Sequence, residues 1–115
     1  MAHEITLDKA IAMTTHYRRL RDGILSDPYK GKNILPLSET FDRSAVDRIL
    51  AQEHCVSFRI YYGMDDENLM HAILVGVDKE GRDILPKEAA GEEGEIAEEA
   101  KRCPNDCPPE SPLNG

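Results

Sequence analysis

The chain has 115 residues, with 14 Lys+Arg against 22 Asp+Glu and a net charge of −8, a length that fits one domain. A chain this acidic argues against nucleic-acid binding, where neutralisation of phosphate by Lys and Arg dominates affinity. No segment approaches the roughly 20 apolar residues of a membrane span, and Glu4, Asp8 and Lys9 interrupt the first residues before a secretory apolar core could form.

The charge is uneven. The first 50 residues carry 8 Lys+Arg against 7 Asp+Glu, and the remaining 65 carry 6 against 15. The one basic cluster, Arg18, Arg19 and Arg21 with Lys30 and Lys32, reads as a solvated helix face.

In chain order, Leu7, Ile11, Thr14, Tyr17, Leu20 and Ile24 recur at spacings of three and four, the signature of one helical face. Thr6 suits the N-cap, and the spacing predicts a helix over residues 7–22. The Pro- and Gly-containing stretch that follows predicts a long loop, with residues 34–37 as a short edge strand. Phe41, Ala45, Val46, Ile49 and Leu50 then restore the helical period, predicting a second helix over residues 43–52.

The period next changes to two. Val56, Phe58, Ile60 and Tyr62 alternate with Ser57, Arg59 and Tyr61, as in a half-buried strand. "MDDEN" is a turn, and "LMHAILVGVD" is apolar at both parities, the pattern of a central strand covered on both faces. "DKEG" is a second turn and "RDIL" a short third strand, ended by Pro86, which has no N–H to donate. Beyond Pro86 the chain is rich in Glu, and "EIAEEAKR" could form two helical turns.

The expected fold is therefore α+β: two N-terminal helices packed on a three-stranded antiparallel meander. Residues 1–86 form the domain, and residues 87–115 an acidic, partly disordered tail containing Cys and Pro. Two helices can cover one sheet face but not both. The uncovered face predicts self-association, a common route by which small domains gain burial.

The block "ETFDRSAVDRILAQEHCVSFRIYYGMDDENLMHAILVGVDKEGRDIL", residues 39–85, followed by "CPNDCPPESPLN", resembles a family of short uncharacterised Bacteroidota proteins. In that family an ETF(D)R block precedes a terminal Cys-Pro tail. The resemblance implies a cytoplasmic bacterial protein and carries over no catalytic residue.

Three groups of residues are candidates for chemistry. Cys103 and Cys107, four apart among prolines, could supply half of a tetrahedral zinc site completed by Cys55 and His54 (or His71), form a reversible disulfide, or stand as free thiols in the tail. Arg59, Tyr61 and His71 could form a cross-strand polar patch that binds a small anion, if the strands pair in the right register. Otherwise His71 is a hydrogen-bonded core imidazole. The carboxylates of "GMDDEN" and "DKEGRD" lack the spacing of a calcium loop and read as solvated turns.

Nucleophile-elbow, phosphate-loop, zinc-protease and dinucleotide motifs are absent from the sequence, so no enzymatic activity is expected. The reading that results is a small cytoplasmic protein-interaction module, a homo-oligomer with a possible further protein partner and no cofactor. The alternative is a metal-binding (zinc) or thiol-redox-responsive module built on the C-terminal cysteine pair.

Overall fold

The computed structural model describes residues 3–86, 96–97 and 100–114. It is α+β, with two helices and small antiparallel sheets. Helix α1 spans Leu7–Leu20, and the Thr6 hydroxyl accepts the Lys9 N–H at 3.1 Å as its N-cap. A single 3-10 turn covers Asp27–Tyr29, strand β1 covers Ser38–Thr40, and helix α2 covers Arg43–Leu50. Strands β2 (Ser57–Met64), β3 (Met70–Val77) and β4 (Asp83–Ile84) form the expected meander in the order β2-β3-β4. Two further strands, β5 (Ile96–Ala97) and β6 (Lys101–Cys103), lie in the segment expected to be a tail.

The β2–β3 hairpin fixes the register that the sequence left open. Arg59 faces Val75, Tyr61 faces Ile73, and Gly63 faces His71. Odd-numbered residues of both strands therefore share one sheet face, and even-numbered residues the other.

Helix α2 lies on the even face of the sheet. Its Ile49 is 1 % exposed and packs over Gly76; removing such a side chain costs about 2–5 kcal/mol in a typical core. The expectation that both helices pack on the sheet is corrected here. Helix α1 is instead held to the 33–37 loop by hydrogen bonds. Tyr17 Oη donates to the Pro36 carbonyl and Arg21 to the Leu35 carbonyl, both at 2.6 Å. The physical reason is that this irregular backbone has carbonyls no strand satisfies, and the polar residues of the helix reach them. Leu7, Met13 and Leu20 of α1 stay exposed. The short strand expected at 34–37 is displaced to Ser38–Thr40, and Ile34 is a buried loop residue.

The boundary expected at residue 86 does not separate the parts of this fold. Strand β6 pairs antiparallel with β1, matching Ser38 to Cys103 and Thr40 to Lys101. Strand β5 pairs with β3, so two strands replace the helical turns expected over "EIAEEAKR". The acidic stretch of residues 87–95, expected as disordered, lies outside the described residues.

The outer edge of β3 is satisfied along its length by different groups in turn. The Met70 N–H donates to the Ile34 carbonyl at 2.8 Å, and the Met70 carbonyl accepts from Arg102 Nε at 3.1 Å. The Ala72 N–H donates to Glu39 Oε1 at 2.5 Å. Strand β5 takes the Leu74–Val75 level, and β4 the Gly76–Val77 level. Glu39 and Arg102 thus bring β1 and β6 against the strand that forms the core.

Candidate functional site

An exposed apolar face follows from the alternation of β2. Val56, Phe58, Ile60, Tyr62 and Met64 occupy one parity and are 45–70 % exposed. On β3 the same face is covered where α2 packs on it, over Gly76. The boundary between covered and uncovered halves is an apolar groove of about 410 Å³, lined by Phe41, Val46, Phe58, Ile60, Tyr62 and Leu74 among others. Contiguous exposed apolar surface of this kind marks interaction sites more often than scattered single residues do.

Among the described residues, strand β2 is also an edge strand, pairing in the sheet with β3 alone. The even N–H groups of β3 at Met70 and Ala72 point to the outer edge. Its odd groups therefore face β2, and by the register the odd groups of β2 face β3. The backbone groups of Phe58, Ile60 and Tyr62 consequently point outward. Among the described residues no strand takes them up.

The three residues expected as a polar patch do share the odd face, but they form two separate clusters. Arg59 donates to Asp83 Oδ1 at 2.6 Å, and the Tyr61 hydroxyl donates to Asp83 Oδ2 at 2.5 Å. Asp83 and the neighbouring Tyr61 hold the Arg59 guanidinium above its already high pKa. His71 stands at the far end of the hairpin, where Nε2 meets Asp65 Oδ2 at 2.8 Å and Nδ1 meets Glu39 Oε2 at 3.3 Å. The hydrogen bond to Asp65, helped by Glu39, raises the His71 pKa against a partial opposing effect of burial. Both cations face carboxylates, so the arrangement neutralises positive charge instead of presenting it to an anion.

Asp65 organises that end. Its Oδ1 accepts the Glu67 and Leu69 N–H groups at 2.8 and 3.0 Å, closing the turn, while its Oδ2 holds His71. The His71 contact lowers the Asp65 pKa, assisted by the turn N–H groups. Sequence reasoning missed Asp65, Asp83 and Glu39 as partners of the patch. For Asp65 the signal was present, because an Asp two residues before a free backbone N–H is a turn-forming pattern. For Glu39, which comes from another sheet, no local signal exists.

The cysteines separate likewise. Cys103 and Cys107 are joined as a disulfide, with Cα atoms 4.4 Å apart. Cys55 is a free thiol beside Gly76, where it donates to the Ser57 carbonyl at 3.2 Å. Cys103 lies with Arg102 near the Met70 end of β3, six residues from Gly76, which is roughly 20 Å along a strand. His54 is exposed beside Glu53. The zinc set expected from Cys103, Cys107, Cys55 and His54 is thus not brought together. Among the described residues no cluster of three or more His, Cys, Asp or Glu side chains is placed to hold a metal ion.

Fold and surface together define a small α+β protein with an open-edged, apolar strand. Among the described residues no helix is long and apolar enough to cross a membrane. No family model, curated protein or solved structure matches this chain.

Proposed function

We propose that this chain is a small cytoplasmic, self-associating interaction protein whose sheet is completed by a second copy of itself. The observation that carries the reading is the exposed even face of β2, from Phe58 to Met64. Native edge strands often carry Lys or Pro that blocks pairing, and β2 has neither across its eight residues. Its only charge, Arg59, lies on the opposite face and is neutralised by Asp83. The sheet edge is thereby left uncharged in a chain whose net charge of −8 would otherwise keep copies apart.

The test is light scattering of the untagged full chain across a dilution series, repeated for Phe58→Glu and Tyr62→Glu. A multimer that dissociates on dilution, and much earlier in both variants, is expected. A monomer at every concentration overturns the reading.

A second reading rests on the disulfide, which closes at the end of β6. In a reducing cytoplasm such a bond is usually transient and regulatory. Oxidation by a low-molecular-weight disulfide would join the two sulfurs, and the oxidant would take up the two electrons and two protons as two free thiols. Measurement of the pair's reduction potential against glutathione tests it; a potential far below the cytoplasmic range removes any switching role.

A further inference from the structure

The disulfide at the end of β6 has two halves in different surroundings. Cys103 is 3 % exposed, whereas Cys107 is exposed. Cys103 is fixed by its strand, whose ladder pairs it with Ser38, and its carbonyl accepts the Leu37 N–H at 2.8 Å. Cys107 follows a turn closed by the Asp106 N–H on the Arg102 carbonyl at 2.8 Å, and the exposed Pro108 and Pro109 come next. A thiol from solution therefore meets one end of the bond and not the other.

A second, independent observation lies across the ladder. Ser38 stands directly opposite Cys103, and its Oγ is buried without a hydrogen-bond partner. Residues paired in this way carry their side chains on one face, with Cβ atoms about 4.5–5.5 Å apart. Buried hydroxyls are rarely left unsatisfied. A disulfide sulfur is a weak acceptor, but a thiolate at Cys103 would be a strong one. Arg102, the adjoining residue, adds a buried guanidinium whose Nη1 lies 3.5 Å from the Pro104 carbonyl, and a nearby cation stabilises a thiolate.

From these we infer that Cys107 is a thiolation site, where a low-molecular-weight thiol attacks and Cys103 is the leaving group received by Ser38. The inference rests on the redox reading above and adds which sulfur reacts, with what class of molecule, and which side chain assists. The incoming thiolate sulfur bonds to Cys107 Sγ as the Cys103–Cys107 bond breaks, and both electrons of that bond leave on Cys103 Sγ. The products are a mixed disulfide on Cys107 and a Cys103 thiolate, to which the Ser38 hydroxyl donates. Attack by Cys103 on Cys107 Sγ reverses the step and releases the small thiol. Attack by a second small thiol on the outer sulfur completes reduction, Cys107 leaving as the thiolate and the small molecule as its symmetric disulfide. Burial alone disfavours a Cys103 thiolate, and a leaving thiol of lower pKa departs faster. The donor at Ser38 offsets the first and supplies the second. A bond that only closes a loop requires no such donor opposite its buried sulfur.

The experiment places the full chain in glutathione buffers of cytoplasmic poise, quenches with acid and assigns each adduct by fragmentation mass spectrometry. Glutathione on Cys107 should exceed glutathione on Cys103 by about tenfold or more, given the difference in access. Cys103→Ser and Cys107→Ser, each treated with glutathione disulfide, measure the same asymmetry where the mixed disulfide closes too fast to trap: the lone Cys107 should react about tenfold or more faster than the lone Cys103. Ser38→Ala should slow opening by glutathione about threefold or more, since a charge-assisted hydrogen bond forms as Cys103 leaves. It should also raise the pH at which Cys103 ionises, read by thiolate ultraviolet absorbance with Cys55→Ser and Cys107→Ser in the background; Ser38→Thr, which keeps the hydroxyl, should restore both. Equal reaction at the two cysteines overturns the site and leaves the redox reading standing. An unchanged rate and ionisation in Ser38→Ala overturns the assistance by Ser38. A pair that stays closed at every cytoplasmic poise overturns the site and the redox reading together. Circular dichroism of each variant confirms that the fold is intact, so that a lost adduct reports on the chemistry.

Discussion

Glu39 and Arg102 stand opposite each other in the β1–β6 ladder, and both side chains reach across to the same strand, β3. Glu39 accepts the Ala72 N–H, and Arg102 donates to the Met70 carbonyl two residues earlier. The pair acts as a clamp made from one acceptor and one donor. It binds the two-stranded sheet to the main one without a continuous ladder between them.

Arg102 is 8 % exposed, and its Nη2 donates to both the Asn33 and Ile34 carbonyls, at 2.6 and 2.8 Å. Arg102→Ala would remove this donor from the Met70 and Asn33 carbonyls, both part-buried, while the Ile34 carbonyl keeps the Met70 N–H; each acceptor left unsatisfied costs about 1–3 kcal/mol. Urea unfolding should show a loss of about 2 kcal/mol or more, and Arg102→Lys should recover only part, because an ammonium lacks the planar fork. A loss below about 0.5 kcal/mol, the range of ordinary surface substitutions, would mean that the clamp does not hold the fold.

His71 and Asp65 give the protein a pH dependence of definite sign. The His71 pKa is raised above its ordinary 6.5 by Asp65 and Glu39. Its contribution is therefore fully present below about pH 6.5 and fades as pH rises through the raised folded value. The Asp65 pKa is lowered below 3.8, chiefly by His71. That contribution is present above about pH 3.8 and fades as pH falls through the lowered folded value. Thermal stability should be greatest between the two limits. An NMR titration should place the His71 pKa above 6.5 and show it falling towards 6.5 in Asp65→Asn. An unchanged titration in that variant would refute the coupling.

Much of this fold is legible from local pattern, and the parts that are not share a cause. The three-and-four spacing of Leu7 to Leu20 and the Thr6 cap mark α1, and the alternation from Val56 to Tyr62 marks β2. The two-sided apolar run at 70–77 marks β3 as the central strand, with Leu74, Val75 and Val77 buried. What could not be read is non-local. Lys101–Cys103 becomes a strand only because Ser38–Thr40 lies beside it, while its own neighbourhood is Glu-rich and helix-compatible. Arg102 would be placed on a surface by any residue-level rule; only carbonyls from a distant loop make its burial tolerable. The polar patch was half legible for the same reason. Arg59, Tyr61 and His71 share a face, as alternation requires, but their carboxylate partners come from β4, β1 and a turn.

The Cys103–Cys107 bond closes a short loop at the end of β6, whose last carbonyl accepts the Leu37 N–H at 2.8 Å. A loop this small contributes about 2 kcal/mol on the chain-entropy account. Reduction, or Cys107→Ser, should lower stability by about that amount and speed hydrogen exchange at Leu37 before exchange in β3 rises. Equal stability with and without reductant would show that β6 is held by its ladder and Arg102 alone.

Gly76 is the point at which α2 meets the sheet, and it should tolerate no side chain. A Cβ there would lie 2.8 Å from Gln52 Nε2, 3.0 Å from Cys55 Sγ and 3.5 Å from Ile49 Cγ2. The amide end of Gln52 can swing aside only by giving up its bond to the Ile49 carbonyl, and Cys55 only by leaving the Ser57 carbonyl. Gly76→Ala should therefore cost about 1–3 kcal/mol through overpacking, and Gly76→Val more. Gly31 provides the contrast: nothing lies within 4 Å of its Cβ position, but its φ is +73°, so Gly31→Ala should cost about 1–2 kcal/mol from backbone strain alone. A double-mutant cycle separates the two causes. Cys55→Ala should recover part of the Gly76→Ala loss, because the two sites share a contact, and none of the Gly31→Ala loss. Recovery at both positions, or at neither, would show that close packing of α2 on β3 is not what makes Gly76 necessary.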